Sequence, residues 1–344
     1  MPINEIVRPI SVPTWQKALN EAISQPEELF DYLQLDPHYL AGAKQANELF
    51  HLRVPKRFVD KMEPGNIYDP LLRQVLPLGE ETEDHIGFTP DPLSEKRFNP
   101  LPGVLHKYHS RILVTLTGAC AVNCRYCFRR HFPYTENVPG KKGREKIVEY
   151  VNERPYINEI ILSGGDPLLA DDDYLQEFME PLQEIEHVKR LRIHTRLPVM
   201  LPERVTPEML QWLANLDVKT VVVLHINHPK ELDQEIAQAV QCLKNEADAT
   251  VLNQAVILKD VNDSIDTQVE LNESLFDHGI LPYYLHLLDK VQGAAHFAVD
   301  DDTITDIYQG MQEQLPGYLL PKLTTEIPGV LHKVIIGNRS FDST

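Results

Sequence analysis

The sequence predicts an α/β protein built on a parallel sheet. Three observations predict it: six short, β-branched and largely apolar runs, longer amphipathic segments between them, and chemistry-bearing motifs at the C-terminal ends of the first two runs. The first hundred residues carry helical candidates, TWQKALNEAI and HYLAGAKQANELFHLRV, followed by a proline-rich stretch from Val75 to Pro102 that reads as a linker. The runs are RILVTLT from Arg111, NEIILSG from Asn158, RLRIHTR from Arg190, KTVVVLHI from Lys219, TVLNQAVIL from Thr250 and LPYYLHLL from Leu281. Largely apolar runs fit strands buried on both faces. Between them REKIVEYVNE, DDYLQEFMEPLQEI, TPEMLQWLANL, ELDQEIAQAVQCLKNE and SIDTQVELNESLF read as helices, with Thr206 as N-cap and Pro207 in the first helical position. A last segment, YLLPKLTTEIPGVLHKVIIG, reads as one or two extended pieces. The expected division is residues 1–100, helical region and linker; 101–316, six βα units; and 317–344, a C-terminal segment. The hexapeptide PGVLHK occurs at Pro102–Lys107 and again at Pro328–Lys333, which we read as two similar turn-to-strand junctions rather than a repeat.

Composition narrows the function classes. Thirty-three basic against 51 acidic residues give a formal charge of −18, which repels phosphate backbones and anionic lipid headgroups, so neither nucleic acid nor a membrane surface is an expected partner. The first twenty residues lack a basic-then-apolar leader and no apolar run approaches the ~18 residues of a span, so the expected location is cytoplasmic. Four cysteines in 344 residues make no disulfide framework, and three of them fall within eight positions, which points to metal.

Those three form CAVNCRYC, Cys120, Cys124 and Cys127, just after the first predicted strand, on the face where α/β barrels carry their sites. Three thiolates can hold three irons of a cubane and leave the fourth open, whereas electron-transfer clusters normally have four cysteines. His131 leaves a structural Cys₃His zinc site open as the alternative on local spacing. The SGGDPL that closes the second strand weighs against it, although Gly-Gly-Asp by itself is also an ordinary turn.

CxxxCxxC with an aromatic residue before its last cysteine resembles the radical S-adenosylmethionine superfamily, and Gly164, Gly165 and Asp166 match that family's Gly-Gly-acid motif. The resemblance implies a partial (βα)6 radical-SAM barrel with an N-terminal helical region and a short C-terminal segment carrying a pyridoxal phosphate (PLP) lysine. It also implies a [4Fe-4S] cluster on the three cysteines, S-adenosyl-L-methionine (SAM) on the open iron, and SAM contacts from Gly164, Gly165, Asp166 and, near the adenine, Tyr126. Longer stretches, PGVLHKYHSRILVTLTGACAVNCRYCFRRHF, RIHTRLPVMLPERVT, LNQAVILKDVND and LPYYLHLLDKVQGAAHF, closely resemble the lysine 2,3-aminomutases. That likeness implies conversion of L-lysine to (R)-β-lysine by a 5′-deoxyadenosyl radical, with the amino group shifting through the PLP π-system.

By the same resemblance Lys333 is the Schiff-base lysine, and Lys107, Tyr108 and Arg111 lie beside the cofactor phosphate. Arg129 takes the substrate carboxylate, while Asp289 and Glu326 receive the ε-ammonium, with Glu326 standing where the family has aspartate. Two acids there favour a basic over an anionic side chain. The short tail after Lys333 and the lack of a late cysteine cluster resemble the short bacterial members whose β-lysine goes to elongation factor P modification. A flavodoxin or ferredoxin is the implied reductant, and Cys242 is expected to be a buried core residue. A radical enzyme acting on another amino acid and a noncatalytic zinc-stabilised module stay as alternatives.

Overall fold

The computed structural model describes residues 14–337. Its centre is one nine-stranded sheet in the order β1 to β9: β1 Val104–Tyr108, β2 Arg111–Thr115, β3 Glu159–Ser163, β4 Arg190–Thr195, β5 Lys219–His225, β6 Thr250–Val256, β7 Leu281–His286, β8 Lys322–Thr325 and β9 Val334–Ile335. Strands β2 to β8 are parallel, and only the outer pairs β1–β2 and β8–β9 are antiparallel. The six predicted runs are β2 to β7.

A helix follows each of these six strands: Lys141–Asn152, Asp172–Gln183, Pro207–Ala214, Gln234–Asn245, Ile265–Asp277 and Asp301–Gln314. The last was not among the predicted helices. Four of them begin on a side-chain cap, since Thr206, Asp233, Ser264 and Asp300 each accept the backbone N–H three residues on. Cys242, on the Gln234–Asn245 helix, is half-buried against the core rather than fully inside it.

Two expectations need correction. First, the strands are not apolar on both faces. In β4 the residues Leu191, Ile193 and Thr195 are buried, while Arg192 and His194 alternate with them and face a cavity. A bulge between Asn253 and Gln254 brings Tyr284 and His286 of β7 opposite Gln254 and Val256 of β6, with all four lining that cavity.

Second, the stretch from Val75 to Pro102 is not a free linker. Its prolines limit it to short 3₁₀ turns, Gly79–Thr82 and Glu95–Phe98, but Val75, Leu76, Leu78 and Glu81 are buried. The N-terminal helices Thr14–Asn20, Pro26–Leu33 and Leu40–Leu49 share one continuous apolar core with the sheet, running from Trp15 to Leu323. Among the described residues no helix is long and apolar enough to cross a membrane.

Candidate active site

The cavity holds about 300 Å³ and is walled by β2 to β7, the loop after β2, and Glu326 with Lys333 from the last segment. The three clustered cysteines lie on that loop and all reach the cavity. Burial, followed by the neighbouring thiols, pushes Cys127 up to about 11 and Cys120 well above its ordinary value. Cys124 differs, because the buried Arg196 guanidinium donates to its sulfur at 2.8 Å. Thiols so placed shed their protons when a metal takes them, and three on one loop match the donor set of a cubane with one open iron. His131 does not join them; its Nε2 lies 3.3 Å from the Gln292 carbonyl. With His131 turned to Gln292, the loop offers three thiols and no fourth ligand, a donor set that fits the cluster better than a Cys₃His zinc.

The cysteine loop is gripped from the N-terminal region. Arg125 is fully buried and forms a bidentate pair with Glu81 (2.8 and 2.7 Å), which also accepts from Arg130 at 2.7 Å. Arg125 further donates to the Phe50 carbonyl at 2.7 Å, and the Asn123 and Arg125 N–H groups donate to Arg53 and Gln74 carbonyls, both at 2.9 Å. Arg130 is thus a buried brace on the same carboxylate. Glu81→Gln leaves two buried guanidinium groups short of a counter-charge, so we expect unfolding stability to fall by about 3–5 kcal/mol. Urea titration checks it, and a loss below ~1 kcal/mol would mean that water reaches the triad.

Gly164 and Gly165 sit against the same loop. Gly164 has φ +108°, and a Cβ there would meet Thr115; a Cβ on Gly165 would come within 2.4 Å of the Ala119 carbonyl oxygen. Only glycine lets the strand end approach so closely, and the Gly165 and Asp166 N–H groups donate to Thr117 and Ala119 carbonyls at 3.0 and 2.8 Å. The Asp166 carboxylate is taken up internally, by the backbone N–H groups of Leu168, Arg196 and Leu197 and the Thr195 hydroxyl. It ties the end of β3 to the end of β4. Tyr126 presents its buried ring to the cavity while its hydroxyl is held by His225 (2.8 Å), Asn227 (2.7 Å) and Arg196 (2.9 Å). Behind it Leu258, Val261, Val291, Ala294 and Phe297 form a second apolar cluster, buried and outside the cavity wall, which backs the Tyr126 ring.

At the other end of the cavity the two PGVLHK lysines meet. Lys107 on β1 donates to Glu326 Oε2 at 2.5 Å, while Lys333, just before β9, donates to Oε1 at 2.6 Å, and Tyr108 adds its hydroxyl to Oε1 at 2.7 Å. The two edges of the sheet therefore come together on one carboxylate. Burial alone would raise the Glu326 carboxyl, but Lys333, Lys107 and Tyr108 hold it well below the usual carboxylate range. Of the three residues expected at the cofactor phosphate, Lys107 and Tyr108 are directed to Glu326. Arg111 stacks 4.0 Å from the Tyr108 ring and pairs with no carboxylate among the described residues. A free guanidinium and a primary amine in one enclosed cavity fit a phosphorylated aldehyde such as PLP.

Arg129 is buried and lines the cavity, but the Nε side of its fork is already taken by Glu95 (2.9 and 2.6 Å), with Ser163 Oγ 3.3 Å from the remaining NH1. Among the described residues Asp289 has no such partner, and burial followed by the Glu326 charge pushes it up to about 7. Sequence reasoning missed Glu95, Arg192, His194, Arg196, His225, Gln254, Tyr284 and His286, all of which line the cavity. A signal was present for one strand: Arg190, Arg192, His194 and Arg196 recur at every second position.

Comparison with known proteins gives the family. The Radical SAM superfamily model matches residues 114–264. The L-lysine 2,3-aminomutase of Haemophilus influenzae is 49% identical over 321 residues, 93% of this chain and 95% of that one. The Escherichia coli L-lysine 2,3-aminomutase is 47% identical over 92% of both chains. Among solved structures, a radical SAM methyltransferase from Sphaerobacter thermophilus aligns with 64% of this chain and 68% of its own, at 17% identity and a TM-score of 0.47. Near-full-length identity at this level, over a chain that carries the superfamily's cysteine loop, means that this protein belongs to the L-lysine 2,3-aminomutase family of radical SAM enzymes.

Proposed function

We propose that the chain moves the amino group of L-lysine from C2 to C3, using a [4Fe-4S] cluster, SAM and PLP. The observation that carries the reading is one cavity that joins three clustered thiols to the Lys333 amine and to a partner-free acid, in a chain nearly half identical to aminomutases of that name. When bound, the cluster and SAM supply the radical that removes and returns a hydrogen, and PLP supplies the π-system for the nitrogen shift.

The chain's own residues bind, orient and shield. Cys120, Cys124 and Cys127 hold the irons; the backbone at Gly164 and Gly165 and the Tyr126 face meet SAM, while Asp166 braces that wall. Lys333 carries the cofactor, and Arg111, with Lys107 and Tyr108 behind it, receives the phosphate. Arg129, aimed by Glu95, takes the substrate carboxylate, and Asp289 takes the distal ammonium, while Glu326 stands beside Lys333 in the same wall. We place this site on a partial (βα)6 barrel within residues 101–316, with residues 1–100 clamping the cysteine loop and 317–344 bringing Lys333. We further propose the R product, supply of β-lysine to elongation factor P modification, a flavodoxin or ferredoxin as reductant, and a cytoplasmic location. The direct test is anaerobic assay of reconstituted enzyme with L-lysine, resolved on a chiral column. Preference for glutamate, or no β-lysine, would overturn the reading.

Asp289 gives a sharper check. Asp289→Asn leaves the substrate ammonium without its counter-charge and is expected to weaken L-lysine binding by about 2–5 kcal/mol, with cluster and PLP content unchanged. In the unaltered enzyme the carboxyl titrates near 7 and only its ionised form attracts the ammonium. Affinity for lysine should therefore fall about tenfold per pH unit below that value and level off above it. Lysine titrations followed by cofactor absorbance between acidic and mildly basic pH measure both effects, and a pH-independent affinity would remove Asp289 from the site.

A further inference from the structure

We infer that Glu326 is the seat of the Lys333 ammonium whenever that lysine is not joined to the cofactor, and that the substrate's distal ammonium is left to Asp289 alone. The inference rests on the reading of Lys333 as the cofactor lysine. Three donors converge on Glu326: Lys333 and Tyr108 on Oε1 at 2.6 and 2.7 Å, and Lys107 on Oε2 at 2.5 Å. Its side chain is 13% exposed, so this is a largely desolvated carboxylate already facing two ammonium groups. A third ammonium there would meet more repulsion than attraction. Asp289 lines the same cavity and has no ion pair among the described residues.

The chemistry of substrate loading requires such a seat. One amine replaces another at the cofactor carbon: the C–N bond to Lys333 breaks and a C–N bond to the substrate's α-nitrogen forms. The proton that the substrate's α-ammonium gives up ends on the departing Lys333 amine. Nothing is oxidised or reduced. A newly charged ammonium is thereby released beside a largely desolvated carboxylate, where an uncompensated cation is costly. Glu326 lies where it can receive that charge, with Lys107 and Tyr108 fixing its direction from β1. The ring of Tyr284, 5.6 Å from Lys333 Nζ, adds a second, weaker contact for the cation. Glu326 is thus a positioning residue acting through Lys333, and the hexapeptide lysine on β1 serves to hold that seat in place.

The test uses cluster-free protein loaded with PLP, so that no turnover occurs, and two amino acids: L-lysine, and L-norleucine, which has the same chain length and no distal ammonium. Borohydride traps the linkage, and the ratio of released pyridoxyl-amino acid to label on the Lys333 peptide reads the exchange. We expect Glu326→Gln to lower this exchange about tenfold or more for both amino acids, the scale of one lost charge-assisted contact. Glu326→Asp should recover most of it for both. Asp289→Asn should lower it for lysine only. A Glu326→Gln effect confined to lysine would make Glu326 a substrate seat and overturn the proposal, as would no effect on either amino acid. Label on a residue other than Lys333 in the unaltered protein would instead sink the assignment beneath it, and the proposal with it.

Discussion

Replacing any one of Cys120, Cys124 or Cys127 with alanine is expected to leave protein that folds but retains no stable cluster after anaerobic reconstitution, and turnover of L-lysine below detection. Each thiolate holds one iron, so removing one leaves two irons of a cubane without protein ligands in a cavity that water can enter. The three need not be equally tolerant. Cys120 and Cys127 are half-buried thiols whose surroundings favour the protonated form, and Cys124 accepts a hydrogen bond from Arg196 at 2.8 Å. Because iron must displace the thiol protons and Cys120 and Cys127 are raised, loading of the unaltered protein should improve as pH rises and keep improving beyond the ordinary thiol range. Cys242→Ala is the control: it is half-buried on a helix outside the cavity and its loss should leave iron content unchanged. Iron and sulfide analysis with visible absorption decides the matter. Full iron in Cys124→Ala would rule out the open-iron arrangement.

Much of the frame was legible because its signals are local. Six apolar runs with helix-length segments between them gave β2 to β7, and Thr206 before Pro207 was readable as a cap, whereas the Asp301–Gln314 helix and its Asp300 cap were not read. The edges were harder. β8 and β9 have four and two residues and β1 has five, with half-buried polar positions, so their sequence resembles turns as much as strands. The site divides in the same way. The thiols and Gly-Gly-Asp were readable as motifs, since their spacing is fixed by one loop. Glu95 on Arg129 and Glu81 on Arg125 were not, because each pairing spans tens of residues and joins segments with no common pattern. Asp166 adds what its motif could not show: the residue lines the cavity, and its carboxylate meets four internal donors. Glu326 combines both, since its position was legible but its three partners, on two edges of the sheet, were not.

The two PGVLHK lysines set the second large expected effect. Distance alone does not separate them: Lys107 and Lys333 reach the same carboxylate at 2.5 and 2.6 Å, and both line the cavity. Their settings differ. Lys107 is the fourth residue of β1, in the irregular stretch between the paired Leu105 and Tyr108, so ladder pairs with β2 anchor it on both sides, and Phe98 and Tyr108 flank its amine. Lys333 follows the turn after β8 and precedes a two-residue strand, with its amine beside the Tyr284 ring and a side chain 20% exposed to the cavity side. A lysine that must join the cofactor and then give way to substrate needs that latitude, whereas a phosphate contact and a brace for Glu326 need the rigidity of β1. Lys333→Ala is therefore expected to retain no borohydride-stable label through gel filtration and to lose turnover completely. Lys107→Ala should keep the label on Lys333 while PLP affinity weakens by about 1.5–3 kcal/mol, the worth of a hydrogen bond to a charged group. Cluster content should be normal in both, because neither residue touches the cysteine loop. Peptide mapping after borohydride reduction reads the outcome directly. A label found on Lys107 in the unaltered protein, or full retention in Lys333→Ala, would exchange the roles of the two hexapeptides and move the reacting amine to the opposite edge of the sheet.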